Sequence, residues 1–151
     1  MADPDPAAAI ERLALRLLAT REHSRLELVR KLQMRGYPAD QIDPVLSGLA
    51  EQGAIDEARL AESYVAERVG KGFGPLRIHA ELREKGLSDA AIGPCLEVMN
   101  EEWPALLAAA HDRRFGPTPP TDHTEIGRRG RFLQQRGFPP ELIHRQLRRH
   151  D

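Results

Sequence analysis

The side chains of this sequence best equipped for chemistry are cations, not nucleophiles or metal ligands. Arg68, Lys71, Arg77 and Lys85 stand in one stretch, and Arg128, Arg129, Arg131, Arg136, Arg145, Arg148 and Arg149 crowd the far end. A guanidinium fork grips carboxylate or phosphate through two parallel hydrogen bonds, so this pattern points to recognition of an anion. The formal net charge of −1 hides a split. Residues 1–112 carry 13 basic and 19 acidic side chains, whereas residues 113–151 carry 9 and 4, and all nine of those cations are arginine. Two readings stand: a solvated helical face with no partner, or a contact surface for phosphate or acidic protein. The cations named above are the candidate partner-binding residues.

Catalytic and metal chemistry find little footing. Gly70-Lys71-Gly72-Phe73-Gly74 lacks the Gly-Lys-Ser/Thr ending of a phosphate loop and follows no buried strand, so it reads as an interhelical turn with an exposed lysine. His23, His79, His111, His123, His144 and His150 show no pairing at metal-ligand spacing, and Cys95 has no second thiol. Glu101-Glu102 before Trp103 reads as a helix N-terminal charge pair, not as a general acid and base. Ser24 has no base beside it. No catalytic residue, metal or cofactor is expected.

Composition limits the architecture. With aromatic residues at 5%, charged residues at 30%, and Leu, Ala, Glu and Arg dominant, helices around a thin core are favoured over a sheet. The lone Cys95 excludes an internal disulfide and suits a reducing cytosol. No apolar run approaches the roughly 20 residues that span a bilayer. The start, with Asp3 and Asp5, is wrong for a signal peptide. A soluble, cytoplasmic monomer with no membrane partner is expected.

The elements that must position the cations follow from residues 56–86. Asp56-Glu57 opens a helix with carboxylates at the positive end of its dipole, and Leu60, Ala61, Tyr64 and Val65 mark one face. Arg68 continues the Leu60–Tyr64 line, either snorkelling at the core edge or anchoring a partner. Pro75 starts a second helix with Ile78 and Leu82 inward, and Gly86 gives its left-handed stop. Arg77, Glu81 and Lys85, four apart, read as an ion-pair ladder on its surface.

The rest of the chain repeats this design. Leu32 to Gly36 recurs as Leu82 to Gly86 and as Leu133 to Gly137, with Arg35, Lys85 or Arg136 before the glycine and Tyr37, Leu87 or Phe138 after it. Ile42, Ile92 and Ile143 follow at one fixed distance, and Leu46, Leu96 and Leu147 at another. The expected fold is all-α: three tandem three-helix, helix-turn-helix-like repeats in an elongated or curved array. The units span residues 1–55, 56–102 and 103–151. Such units are too small to be comfortable alone and gain by stacking.

Details differ between copies. Met1 to Ala8 reads as a frayed leader before a helix from Ile10 to Ala19. Ser24-Arg25-Leu26-Glu27 reads as a capping box. Arg129 stands where Leu28 and Ile78 stood, so the third copy trades an apolar anchor for charge, and Ile126 or Phe132 could compensate. Pro44 and Pro94 fall inside the third helices, which either start late, near Asp43 and Gly93, or kink. Those helices carry Asp40, Asp43, Glu51, Asp89 and Glu97, which repel phosphate and argue against major-groove reading.

The residues Asp56-Glu57-Ala58-Arg59-Leu60-Ala61, Tyr64-Val65, Arg68, Lys71-Gly72, Gly74-Pro75, Arg77-Ile78, Glu81-Leu82 and Lys85-Gly86 closely resemble the signature of the RecX family, bacterial regulators of the RecA recombinase. Ser24 to Gly36 and the Gly137–Phe138 segment resemble that family's first and third repeats. The resemblance implies a non-enzymatic protein that binds along the groove of the RecA–single-stranded-DNA filament. It implies slower filament growth and strand exchange, lower ATP hydrolysis, and less of the SOS-repressor self-cleavage that the filament promotes. Some weak, nonspecific contact with single- or double-stranded DNA is expected through the arginine-rich end. The alternative is a helix-turn-helix DNA-binding protein acting independently of RecA.

Overall fold

The computed structural model describes residues 5–148. Among them every regular element is a helix: α1 (Pro6–Thr20), α2 (Arg25–Met34), α3 (Ala39–Glu51), α4 (Glu57–Gly70), α5 (Pro75–Glu84), α6 (Asp89–Glu97), α7 (Trp103–Phe115), α8 (His123–Arg136) and α9 (Pro140–Leu147). The closely packed helix pairs all fall within the trios α1–α3, α4–α6 and α7–α9.

Local chemistry sets the helix ends. Ser24 Oγ accepts from the Glu27 amide at 3.1 Å while Glu27 Oε1 accepts from the Ser24 amide at 3.1 Å, the reciprocal capping box that the sequence predicts. Gly36, Gly86 and Gly137 follow the ends of α2, α5 and α8 at φ of +96°, +93° and +98°, where a side chain would be strained. The frayed leader is corrected: α1 begins at Pro6, because the Asp5 carboxylate caps it through the Ala8 amide at 3.1 Å. Met1 to Pro4 of that leader lie outside the described residues.

The prolines do not delay the third helices. Both α3 and α6 run through Pro44 and Pro94. Each proline faces solvent, and the carbonyls it leaves without an amide belong to exposed Asp40 and Ala90, where they need no partner from the protein.

The repeated positions form the core. Leu32, Leu82 and Leu133, with Ile42, Ile92 and Ile143, are all buried. Two clusters result. Ile10, Ala14, Leu28, Leu32, Ile42, Leu46, Leu49 and Ile55 make one within the first trio. The second is continuous across the other two trios, running from Leu60 to Leu147.

Hydrogen bonds to helix-end carbonyls then join the trios. The start of α5 meets the end of α8, where the Gly74 amide donates to the Arg136 carbonyl at 2.7 Å and the Leu76 amide to the Gly137 carbonyl at 2.9 Å. The start of α2 meets the end of α5, where the Ser24 hydroxyl donates to the Lys85 carbonyl. Donors at one helix start thus meet free carbonyls at the next helix end, free amides at α5 and the capping hydroxyl of Ser24 at α2. The second helices of the three trios meet end to end, so the array grows in one direction.

Candidate functional site

The candidate site grows from one ring. Phe73 sits in the turn between α4 and α5, and three guanidinium carbons lie over it: Arg68 at 3.8 Å, Arg77 at 4.3 Å and Arg136 at 4.6 Å from the ring centroid. Among the described residues one carboxylate, Glu81, pairs with them. Arg68 donates to both Glu81 oxygens at 2.9 and 3.0 Å, Tyr64 Oη donates to Glu81 at 3.0 Å, and Arg77 approaches Glu81 at 3.6 Å. Burial, then the Glu81 carboxylate, pushes the Tyr64 hydroxyl up to about 12.

The surface ladder of Arg77, Glu81 and Lys85 is therefore corrected in part: the Arg77–Glu81 rung is present at 3.6 Å, and the Lys85 rung is not. Glu81 turns inward to Arg68, and Lys85 leaves it for Glu27 of the first trio at 3.6 Å. A partly enclosed guanidinium without a partner is costly, so Arg68 takes the carboxylate that spacing along one helix had given to Lys85. Arg77 also donates to the Gln135 carbonyl at 3.0 Å. Arg68, Arg77 and Lys85 thus brace the array.

Arg136 remains without a carboxylate among the described residues. It is stacked between Phe73 and Phe132, the latter 5.2 Å away, and donates to the Lys71 carbonyl at 3.4 Å. It forms one wall of a cleft of about 210 Å³ lined by Lys71, Gly72, Ala110, Arg113, Arg114, Phe132 and Arg136. No carboxylate lines this cleft. Lys71 alone of its cations has an ion pair among the described residues, with Glu67 at 3.0 Å. Arg113 and Arg114 are exposed, in the last turn of α7. Neither arginine nor Phe73 is among the candidate residues that spacing singles out. Their signals were the Gly116 stop after α7 and the glycines either side of Phe73.

The other candidate residues divide by burial. Arg129 is 8% exposed, so its reading as a surface contact is corrected. It donates to Glu125 at 3.1 Å, to the Thr118 carbonyl at 2.7 Å and approaches His111 Nε2 at 3.2 Å. Arg128 pairs with the same Glu125 at 2.7 Å, and the two guanidinium groups hold that carboxyl down at about 2. Arg131, Arg145 and Arg148 are exposed with no ion pair among the described residues, and Arg149 lies outside them. The apolar anchor lost at Arg129 is partly replaced by Ile126 and Phe132, which pack on the shared core.

The cleft offers charge-assisted hydrogen bonds and an aromatic edge but no nucleophile or proton-transfer pair, so what it can do is hold an anion. No described helix is long and apolar enough to cross a membrane.

Comparison with known proteins matches residues 8–49, 56–94 and 100–147 to the first, second and third three-helix domains of RecX. A protein described as regulatory protein RecX from Halorhodospira halophila is 46% identical over 135 residues, covering 89% of this chain and 84% of that one. One from Pseudomonas savastanoi pv. phaseolicola is 43% identical over 143 residues, 95% of this chain and 92% of its own. A crystal structure of RecX from Lactobacillus salivarius superposes with a TM-score of 0.82 at 20% identity, over 96% of both chains. Another crystal structure of regulatory protein RecX gives 0.79 at 23% identity, over 95% of this chain and 78% of that one. With its three domains matched in order and such identity along nearly its whole length, the chain belongs to the RecX family of regulatory proteins.

Proposed function

We propose that this protein lies along a RecA–single-stranded-DNA filament and restrains it, slowing growth and strand exchange and lowering both ATP turnover and co-protease action. The observation that carries the reading is the Lys71–Arg113–Arg114–Arg136 cleft, whose cations outnumber nearby carboxylates at a junction fixed by a continuous core. A rigid cationic notch in which Lys71 alone has an ion pair among the described residues suits a partner with anions at fixed intervals, and a nucleoprotein filament is such a partner. Family membership supplies the recombinase. The end-to-end meeting of α2, α5 and α8 supports contact along a length. Arg131, Arg145 and Arg148 extend the positive surface on the third trio.

The test is RecA ATP hydrolysis on single-stranded DNA with sub-stoichiometric protein added. Turnover should fall, and unchanged turnover would reject the proposal. High-affinity, sequence-dependent duplex binding without that effect would instead establish a DNA-binding protein independent of RecA.

A further inference from the structure

Two surface features outside the cleft complement each other. The first is an apolar groove of about 310 Å³ between α1 and α2, lined by Leu13, Leu17, Leu32 and Met34 and rimmed by Arg16, Lys31 and Arg35. Met34 is 86% exposed there. Arg16 and Arg35 have no ion pair among the described residues, and the Lys31 ammonium meets only His23 Nε2, at 3.0 Å.

The second is the turn between α6 and α7, which carries Val98 at 80% exposure. Glu97, Glu101 and Glu102 flank that side chain, all exposed or at the surface and none in an ion pair among the described residues. The turn is preformed. The Val98 amide donates to the Pro94 carbonyl at 3.2 Å, the Glu102 amide to Met99 at 2.8 Å, and the Trp103 indole to the Leu96 carbonyl at 3.3 Å.

We infer that the acidic Val98 turn of one copy docks in the cation-rimmed groove of a second copy. Val98 would cover Leu13, Leu17 and Met34 while Glu97, Glu101 and Glu102 face Arg16, Lys31 and Arg35. Turn and groove belong to different trios, and no close helix packing joins α1 or α2 to α6 or α7 among the described residues, so each copy presents a donor and an acceptor surface and the association is head to tail. A single turn seated in a groove of about 310 Å³ makes a small contact, below the roughly 1,000 Å² of a stable complex, so free copies should remain separate when dilute. Copies held beside one another on a template reach effective concentrations on the order of millimolar, where such a contact closes. This inference does not rest on the recombinase reading, and its test uses the chain alone.

That test is sedimentation velocity from dilute protein to about 1 mM, the effective concentration of tethered neighbours, at low salt of about 0.05 M, where surface charges are weakly screened. The weight-average sedimentation coefficient should climb with concentration, and the climb should vanish above about 0.5 M salt. R16E/R35E and E97R/E101R should each abolish it with the helical circular dichroism intact. Their equimolar mixture should regain it, because each variant then meets its complement. Val98→Asp should abolish it as well. A wild type that is monomeric throughout, or association that survives V98D, or a mixture that stays monomeric, overturns the inference. So does a monomeric wild type whose groove instead takes a synthetic acidic amphipathic helix, which would assign the face to a foreign protein.

Discussion

The Gly74 amide donates to the Arg136 carbonyl at 2.7 Å, so the start of α5 and the end of α8 complete each other's hydrogen bonding. A Cβ on Gly74 would stand 2.7 Å from the Gly137 carbonyl carbon and oxygen and 2.8 Å from the Phe138 ring. Gly74→Ala should therefore open the junction and destabilise the protein by about 2–3 kcal/mol. Gly48, inside α3 with nothing within 4 Å of a built Cβ, gives the opposite sign. Gly48→Ala should stabilise by about 0.5–1 kcal/mol. Urea unfolding of both variants checks the contrast.

Glu81 holds Arg68 and Tyr64 together. Their side chains are shielded enough, at 15% exposure for Arg68 and 24% for Glu81, that losing the carboxylate strands a charge. Glu81→Gln should cost about 2–3 kcal/mol in thermal unfolding. It should also lower the ionisation of Tyr64 from about 12, since the Glu81 charge would no longer oppose the phenolate beside burial and Glu67. Ultraviolet titration in a Tyr37→Phe background, which leaves one tyrosine, reads the second effect.

Adjacent arginines should behave differently. Arg129 is buried among Glu125, Thr118 and His111, whereas Arg128 is exposed on the same carboxylate. Arg129→Ala leaves a cavity and an unpartnered Thr118 carbonyl, which should destabilise by about 2–4 kcal/mol. Arg128→Ala should leave the melting temperature unchanged within error. Equal effects would refute the assignment of Arg129 as a brace.

Acid should loosen the junction between the first two trios in two stages. Burial alone would raise the Glu27 carboxyl, but the Arg21 guanidinium, the Ser24 amide and the Lys85 ammonium outweigh it and hold the group at about 2 against an ordinary 4.5. A folded value below the unfolded one gives stability that is complete above pH 4.5 and lost as pH falls toward 2. The loss is at most about 3 kcal/mol. Buried His23, its ring lowered from 6.5 chiefly by desolvation, resists a proton that the unfolded chain accepts, so an earlier decline begins below that pH. Glu27→Gln should shrink the lower stage of a urea-midpoint profile to the part that Glu125, also held at about 2, supplies, and leave the upper stage unchanged.

In the cleft, Arg113→Ala and Arg114→Ala remove exposed cations that support no other contact with a carboxylate. Each should raise the concentration needed for half-inhibition of RecA ATP hydrolysis about tenfold, near 1.4 kcal/mol. Melting temperature should not change for Arg113→Ala and should fall slightly for Arg114→Ala, whose guanidinium lies 5.6 Å from the Phe115 ring and 5.7 Å from that of Phe132. Arg136→Ala should do both, weakening inhibition and stability, because its guanidinium also covers Phe73 and Phe132.

The sequence alone determined the repeating framework. Leu32, Leu82 and Leu133 with their isoleucine partners are buried, Ser24 and Glu27 cap α2, and Gly36, Gly86 and Gly137 turn the chain left-handed. All of these rest on interactions within a few residues, which spacing along a chain records directly. Only the tertiary structure decided which partner each charge takes. Glu81 could be read four residues either way along α5, yet Arg68, on another helix, claims it. Arg129 looked like surface charge until Glu125, His111 and Thr118 closed round it. The cleft draws Lys71 and Gly72 from one turn, Arg113 and Arg114 from the end of α7, and Arg136 from the end of α8. No periodicity places three helix ends together; that follows from how the second and third trios share one core.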